Sequence, residues 1–558
     1  MDARRVPIVI VGAGPTGLML ACQLARFGVD FVIIDSKNGP TRESRALVVH
    51  ARSLELYDAL GVGDEALGEG YRVDAVNLFV RGVGVERLPL ATVGQQETAH
   101  PYLLVLEQSR NEALLLRQLE RTGGSVRWQT SIEALSQNSD GVEVTVRDDD
   151  GRAWPMRCDW LVGCDGARSF VREACGLEFA GGTYQNAFYV ADVRVDGDLP
   201  AGEVVPSFSE ESFALFIPMA GERRYRVVGP FPSDLDGDGV DDGEPGLMTT
   251  GPDGRPLQFE TIEAAIRRQM DVAVRFSDVA WFSAYRVHHR CVDRFRSGRC
   301  FVAGDSAHVH SPVGAQGMNT GLQDAANLGW KLALVVSGRA APPLLDSYHD
   351  ERWPVAQSLL RTTYNAFRFV ISRAAPVRAL RLQVFPRLAA RALELPRLRR
   401  ALFRRLSQIG IGYRHSRLVE PANRSVREAV DALVHDRLKV RACDRLPFAL
   451  IAPPLAEAPT AIHRWLRNPG FHVLLLDRLD DPSPLVASWR AQLDATGAGP
   501  FSVHPLTLAN GAAALFDAFG IDGTAVVVVR PDQHVGFVAR RLDLGAVIDW
   551  VRHALLCR

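Results

Sequence analysis

Four absences narrow this 558-residue sequence before any motif is read. None of its eight cysteines falls in a CxxC pair. That argues against a disulfide framework or a zinc knuckle and makes a reducing cytoplasm the expected compartment. No stretch approaches the roughly 18 apolar residues that a membrane span needs, so stable membrane insertion is not expected. The first strand of "MDARRVPIVIVGAGPTG" starts almost at once, which leaves no room for a signal peptide. An excess of charge is missing as well. The 64 Lys and Arg stand against 65 Asp and Glu, a formal net charge of −1, so no global field favours nucleic acid or a membrane. What remains is a chain of 47% hydrophobic and 23% charged residues, an ordinary globular composition. Its length predicts two to four domains.

Glycine, by contrast, is placed with purpose. "PIVIVGAGPTGLMLACQLARFGVDFVIID" reads as a buried strand, a glycine turn, a helix and a second strand ending at Asp35. Gly12, Gly14 and Gly17 match G-x-G-x-x-G. In that context Gly12 permits a tight turn and Gly14 lets the backbone approach a pyrophosphate, whose charge the helix N-terminus stabilises. Asp35 can accept hydrogen bonds from a ribose. The motif by itself does not separate FAD from NAD.

Two further turns carry the same signature of strand, glycine and acid. "GCDGARSFVR" delivers Asp165 and Gly166 to the start of a helix. "VAGDSAHVHSPVGAQGMNTGLQDAANLGWKL", residues 302–332, ends a strand at Gly304-Asp305, passes through His308 and His310, and enters a helix near Gly317. Metal site, phosphate cradle and catalytic dyad are all open for such a turn. Two histidines two residues apart, with no third ligand in register, make a poor zinc site. Packing or hydrogen bonding is the plainer role for them.

Together the three motifs resemble the group A flavin-dependent aromatic hydroxylases, the para-hydroxybenzoate hydroxylase-like monooxygenases, over about residues 5–370. "VGAQGMNTGLQDAANLGWKLALVVSG" is similar to members that hydroxylate phenols and aromatic polyketides. The tail resembles the larger members, which carry a thioredoxin-like C-terminal domain. The fold class this implies is α/β. Residues 1–180 would be the first part of a Rossmann-like FAD-binding domain. Residues 181–285, which alternate and are strand-rich, would be an inserted antiparallel-sheet substrate domain. Residues 286–440 would return to the first domain and add helices, and 441–558 would be thioredoxin-like.

The resemblance also implies roles. Gly12, Gly14 and Gly17 hold the FAD pyrophosphate, and Asp35 the adenosine ribose. Arg45 lies near the flavin, and Arg52 is a second arginine of that segment. Gln108 sits on the ribityl side. Asp165 belongs to a motif linked to FAD and NAD(P)H, and Asp305 holds the ribityl or pyrophosphate region. Pro312 and Gly314 line the ring where oxygen reacts. Gly317 opens a helix whose N-terminus can stabilise negative charge on reduced flavin. Met318 and Asn319 offer backbone contacts to the pyrimidine edge. Arg45, Pro312 and Gly314 are the flavin-proximal candidates, and no catalytic base is assigned.

The implied chemistry is reduction of non-covalently bound FAD by NADPH or NADH, addition of O₂ at flavin C4a, and transfer of one oxygen from the hydroperoxide to a small aromatic substrate. Baeyer–Villiger insertion, epoxidation and antibiotic inactivation on the same scaffold are the alternatives, and a non-catalytic flavoprotein is a further one. A homodimer is left open. Phe213, Phe216, Tyr225, Trp281, Tyr285 and His288 sit on candidate strands of the substrate sheet, where core packing is the commoner fate.

Two other signals are read as surface features. Asp234, Asp236, Asp238 and Gly239 begin like a calcium loop, but position twelve is Pro245 rather than Glu, which leaves a solvated acidic turn. Residues 372–410 are rich in arginine. They could touch an anionic membrane, but a solvated basic face is the plainer reading.

Overall fold

A computed structural model describes residues 5–41, 46–210, 213–231, 247–248, 257–270, 273–311, 314–372, 374–419, 439–478 and 480–556. Arg45, Pro312, the acidic turn at 234–245 and Cys557 lie outside these residues.

The strand Arg5–Val11 is apolar on both faces, and it takes the centre of the first sheet. It pairs in parallel with Phe31–Ile34 on one side and with Ala153–Gly163 on the other. Cys300–Val302 lies parallel beside Ala153–Gly163. The three motif-bearing turns therefore leave the same sheet at the same edge, the carboxyl ends of parallel strands, where doubly wound folds bind ligands. The helices Pro15–Arg26 and Gly317–Val336 pack together over this sheet and bury Leu18, Leu20, Leu322, Ala325 and Leu328.

Among the described residues the second sheet has nine strands, and two 19-residue antiparallel strands, Phe179–Gly197 and Val274–Val292, form its spine. It recruits more of the chain than residues 181–285. Ala75–Val80 joins through Ser207 and Phe208, with Val83–Pro89 beyond it. One face packs on the helix Phe259–Met270 through Ile262, Ile266, Phe216 and Tyr225. The other meets the long helix Asp346–Ile371.

Residues 471–556 run strand, helix, strand, helix, strand, strand, helix. Phe471–Asp477 is parallel to Phe501–Leu506 and antiparallel to Thr524–Val529, which pairs with Val535–Ala539. That is a thioredoxin-like core. Buried ion pairs tie it to the first domain. Arg530 spans Glu351 (2.7 and 2.8 Å) and Asp532, and Arg445, bridged to the core at His534, grips Glu55.

Candidate functional site

Gly12, Thr16, Cys164, Gly304 and Gly321 come from three segments far apart in the sequence, and they meet at one point. Gly12 has φ +101°, and a Cβ there would collide with the Cys164 carbonyl oxygen, so only glycine fits both the turn and the neighbour. A Cβ on Gly17 would strike the Gly12 carbonyl, which places the helix tight on its own strand. Gly304, with φ +61°, would bring a Cβ to 2.5 Å of Thr16 Oγ1, and one on Gly321 would hit the same hydroxyl. Gly14, in contrast, faces open space, as a position lying under a ligand should.

Side chains close the triangle. Ser306 Oγ donates to Asp165 Oδ1 (3.0 Å) and accepts from the Gly166 amide (2.9 Å), which joins the middle motif to the late one. Asp165 also accepts from the Val171 amide, and burial raises its pKa. It acts here as a strut between segments. Asp35 braces the first turn: its oxygens accept from the Ala13 (2.6 Å) and Lys37 (2.8 Å) amides. Asp305, in contrast, is exposed at the start of a single 3₁₀ turn.

The late loop is held from below by Asp324, a fully buried carboxylate. It accepts from Gly304 N (3.1 Å), His308 Nε2 (2.7 Å) and Arg352 Nε (2.6 Å). Burial pulls its pKa upward, but Arg352 and His308 outweigh that and hold it below the ordinary value. Arg352 is itself anchored by Tyr413 OH and Thr320 O, each at 3.1 Å. His308 is thus the partner of an aspartate, and among the described residues no cluster of three or more His, Cys, Asp or Glu is placed to hold a metal ion.

Asn319 clips the start of the Gly317–Val336 helix to the segment before Ala51–Leu60. Its Oδ1 accepts from His50 N (2.9 Å) and Ser53 Oγ (2.7 Å), and its Nδ2 donates to Val48 O and Ala315 O. The side chain is fully used, which leaves its backbone amide and those of Gly317 and Met318 in the first turn. Gly314 offers its carbonyl to His50 Nε2 at 2.9 Å. Gln108 pins Ala46 from both sides, accepting from its amide through Oε1 and donating to its carbonyl from the backbone.

One candidate does not join the site. Arg52 is buried, with its guanidinium on Glu55 (3.2 Å) and the Asp532 carbonyl (2.5 Å) of the C-terminal domain. On a helix, residues three apart share a face and adjacent ones do not. His50 and Ser53 face Asn319, so Arg52 and Glu55 turn toward the other domain.

Sequence reasoning passed over His50, Thr16, Ser306 and Asp324. His50 and His310 are the most informative. Burial lowers both to a pKa of about 4 against modest opposition from backbone carbonyls, so both are neutral at pH 7. His50 donates through Nε2 to Gly314, and His310 donates through Nδ1 to Ser311 O (3.0 Å). Their other nitrogens, His50 Nδ1 and His310 Nε2, are acceptors buried without a partner among the described residues, and the buried Ser311 Oγ has none there either. Orphaned polar atoms are costly unless a ligand or water meets them.

The candidate substrate face lies against the same loop, because Arg290 and Cys291 pair with Val309 and His308. There Phe188, Phe213 and Tyr285 of the sheet meet Tyr364 and Phe367 of the long helix, with Phe188 and Phe367 ring centres 4.9 Å apart. Tyr184 OH and His289 Nδ1 are buried there without partners among the described residues. His288 Nδ1 bonds Thr183 Oγ1 at 2.7 Å. Phe216 and Tyr225 belong to the opposite core, and Trp281 lies 5.3 Å from the Arg226 guanidinium.

Comparison with known proteins agrees with this geometry. The model of an FAD binding domain matches residues 5–363, and that of a phenol hydroxylase C-terminal dimerisation domain matches 502–556. A 6-methylpretetramide 4-monooxygenase of Streptomyces rimosus is 37% identical over 66% of this chain, and the match spans 62% of that protein's length. A rifampicin monooxygenase of Streptomyces venezuelae is 33% identical over 78% of this chain and 84% of its own. The solved OxyS anhydrotetracycline hydroxylase of Streptomyces rimosus superposes over the full length of both chains with a TM-score of 0.73 and 28% identity. Three glycine-braced turns, one cofactor-domain match and a matching tail lead to one conclusion: the chain belongs to the group A flavin-dependent aromatic hydroxylases.

Proposed function

We propose that this protein is an FAD-dependent, NAD(P)H-consuming monooxygenase that places one oxygen atom of O₂ on a phenolic or polycyclic aromatic substrate. The observation that carries the reading is the convergence of the three turns on Thr16 and Cys164, with the N-termini of two long helices opening there.

The residues present fit FAD. The Gly14 turn and the first amides of Pro15–Arg26 would hold the pyrophosphate, with Asp35 and Asp305 beside the sugar and ribityl chain. The amides of Gly317, Met318 and Asn319 would meet the ring, beside Gly314. His50 Nδ1 and His310 Nε2 are two buried lone pairs awaiting an N–H or O–H donor. When bound, FAD supplies hydride acceptance and oxygen activation.

The chain's own part is positional. The Asp324 clamp holds the late loop, and the Gly317–Val336 helix presents its positive end. Because His50 and His310 stay neutral, they provide acceptors rather than charge. The aromatic face between the sheet and the long helix would exclude water and stack a flat substrate. We assign Asp165 a bracing role and the C-terminal domain a contact in a homodimer.

The test is direct. Purified protein should be yellow, release FAD on denaturation, and oxidise NAD(P)H faster with a panel of phenols and polycyclic aromatics. Incorporation of ¹⁸O from O₂, with ring-carbon NMR, distinguishes hydroxylation from ring insertion. A colourless protein that takes up no FAD refutes the proposal.

A further inference from the structure

We propose that the outward face of residues 375–406 docks on an anionic lipid surface. Thirteen large hydrophobic side chains are exposed among the described residues, and seven of them lie here: Leu380, Val384, Phe385, Leu388, Leu395, Leu398 and Leu402. Leu380, Val384 and Leu388 repeat every four residues along one continuous helical stretch, and Leu395, Leu398 and Leu402 form a stripe on and beside the next helix, Pro396–Leu406. Each stripe is therefore a single helix face.

This apolar surface is not an unmet half of the core. The stretch is already anchored inward. Leu382 packs with Phe367 and Phe208, Phe403 with Leu90 and Val93, and the buried Arg381 guanidinium donates to the Phe369, Val370 and Ser372 carbonyls at the end of the long helix. The outward stripe is a second apolar face, and Leu388 on it is 59% exposed.

Charge identifies the occupant. Residues 375–406 contain nine arginines and one acid, Glu394, in a chain whose net charge is −1. Arg387, Arg391 and Arg397 are exposed beside the stripe. A two-fold contact with a second copy would set this basic patch against itself and oppose like charges. Besides, the matched dimerisation segment lies elsewhere, at 502–556. A protein interface core is typically rich in Trp and Tyr seated in pockets. This stripe is leucine, valine and phenylalanine flanked by arginine, the composition of a helix lying in a lipid interface.

The experiment is co-sedimentation of the full-length, FAD-loaded protein with phosphatidylglycerol or phosphatidylcholine vesicles at low and high salt. Binding to phosphatidylglycerol alone, weakened by salt, is expected. R387Q/R391Q/R397Q should lose about two orders of magnitude in vesicle affinity, at about fivefold per arginine. L388E/L398E should abolish binding while flavin content and circular dichroism stay at wild-type values. Equal binding to both lipids, no binding to phosphatidylglycerol at low salt, or indifference to both variants overturns the proposal. So does a solution dimer that dissociates in L388E/L398E, which would give the face to a second copy. An acidic protein ligand that binds this face while phosphatidylglycerol vesicles do not would overturn it as well.

Discussion

Replacing Asp324 by asparagine removes a charge and almost no volume, at the point where the late loop is clamped. The carboxylate accepts from Arg352 through one oxygen and from His308 and Gly304 through the other. An amide has one oxygen. If that oxygen keeps His308 and Gly304, the NH₂ group faces the Arg352 guanidinium, donor against donor. Removing one partner of a buried ion pair costs about 3–5 kcal/mol. Arg352 retains Tyr413 OH and Thr320 O, which points to the lower end, about 3 kcal/mol, or a roughly 100-fold fall in the local folding equilibrium. Urea unfolding followed by circular dichroism measures the loss. A parallel FAD titration reports the loop, because the Gly304 amide is one of the clamped donors, and affinity should fall with stability. In the double variant D324N/R352Q the penalties should be clearly non-additive. A D324N protein within 1 kcal/mol of wild type and unchanged in FAD affinity would refute the clamp.

Acid should weaken the fold well above the carboxylate range. Burial holds His50, His310 and His472 at about 4 and His463 and His504 at about 3, whereas the unfolded chain binds protons on all five near pH 6.5. Between pH 6.5 and 4 the unfolded state therefore carries more protons, and stability drops as pH falls. A urea midpoint unchanged from pH 7 to 4.5 contradicts this. Asp324 and Asp58 add to this loss at lower pH, since their depressed pKa values give stability that is lost only as pH falls below the ordinary carboxylate value. Gly321→Ala should shed FAD through collision with Thr16 Oγ1, and adding Thr16→Ala should restore part of the binding. Gly17→Ala should have no such rescue, because its obstacle is the Gly12 backbone. Thiol labelling of a C557S protein should modify Cys175 first. Burial pushes Cys22, Cys158, Cys291 and Cys443 up to about 12, whereas a hydrogen bond from Cys300 lowers the half-buried Cys175.

The three turns, the parallel sheet they leave and the α/β character of the tail were legible in the sequence, because each depends on local rules, whereas the thioredoxin-like arrangement of the tail came from the family resemblance. A buried strand reads as an apolar run, and a glycine after it marks where the backbone must bend sharply or approach something closely. Local rules do not say what is approached. Only the folded chain put Cys164 over Gly12, Thr16 under Gly304 and Gly321, and Ser306 between Asp165 and Gly166. Arg52 shows the limit from the other side: a cationic residue in a motif-like segment whose direction is set by helix phase and a domain 480 residues away. Likewise, the hairpin of Ala75–Val80 and Val83–Pro89 joins its sheet through Ser207 and Phe208, more than 100 residues later, a non-local pairing that no window of sequence contains. Backbone conformation was written locally, and partnership was decided by packing.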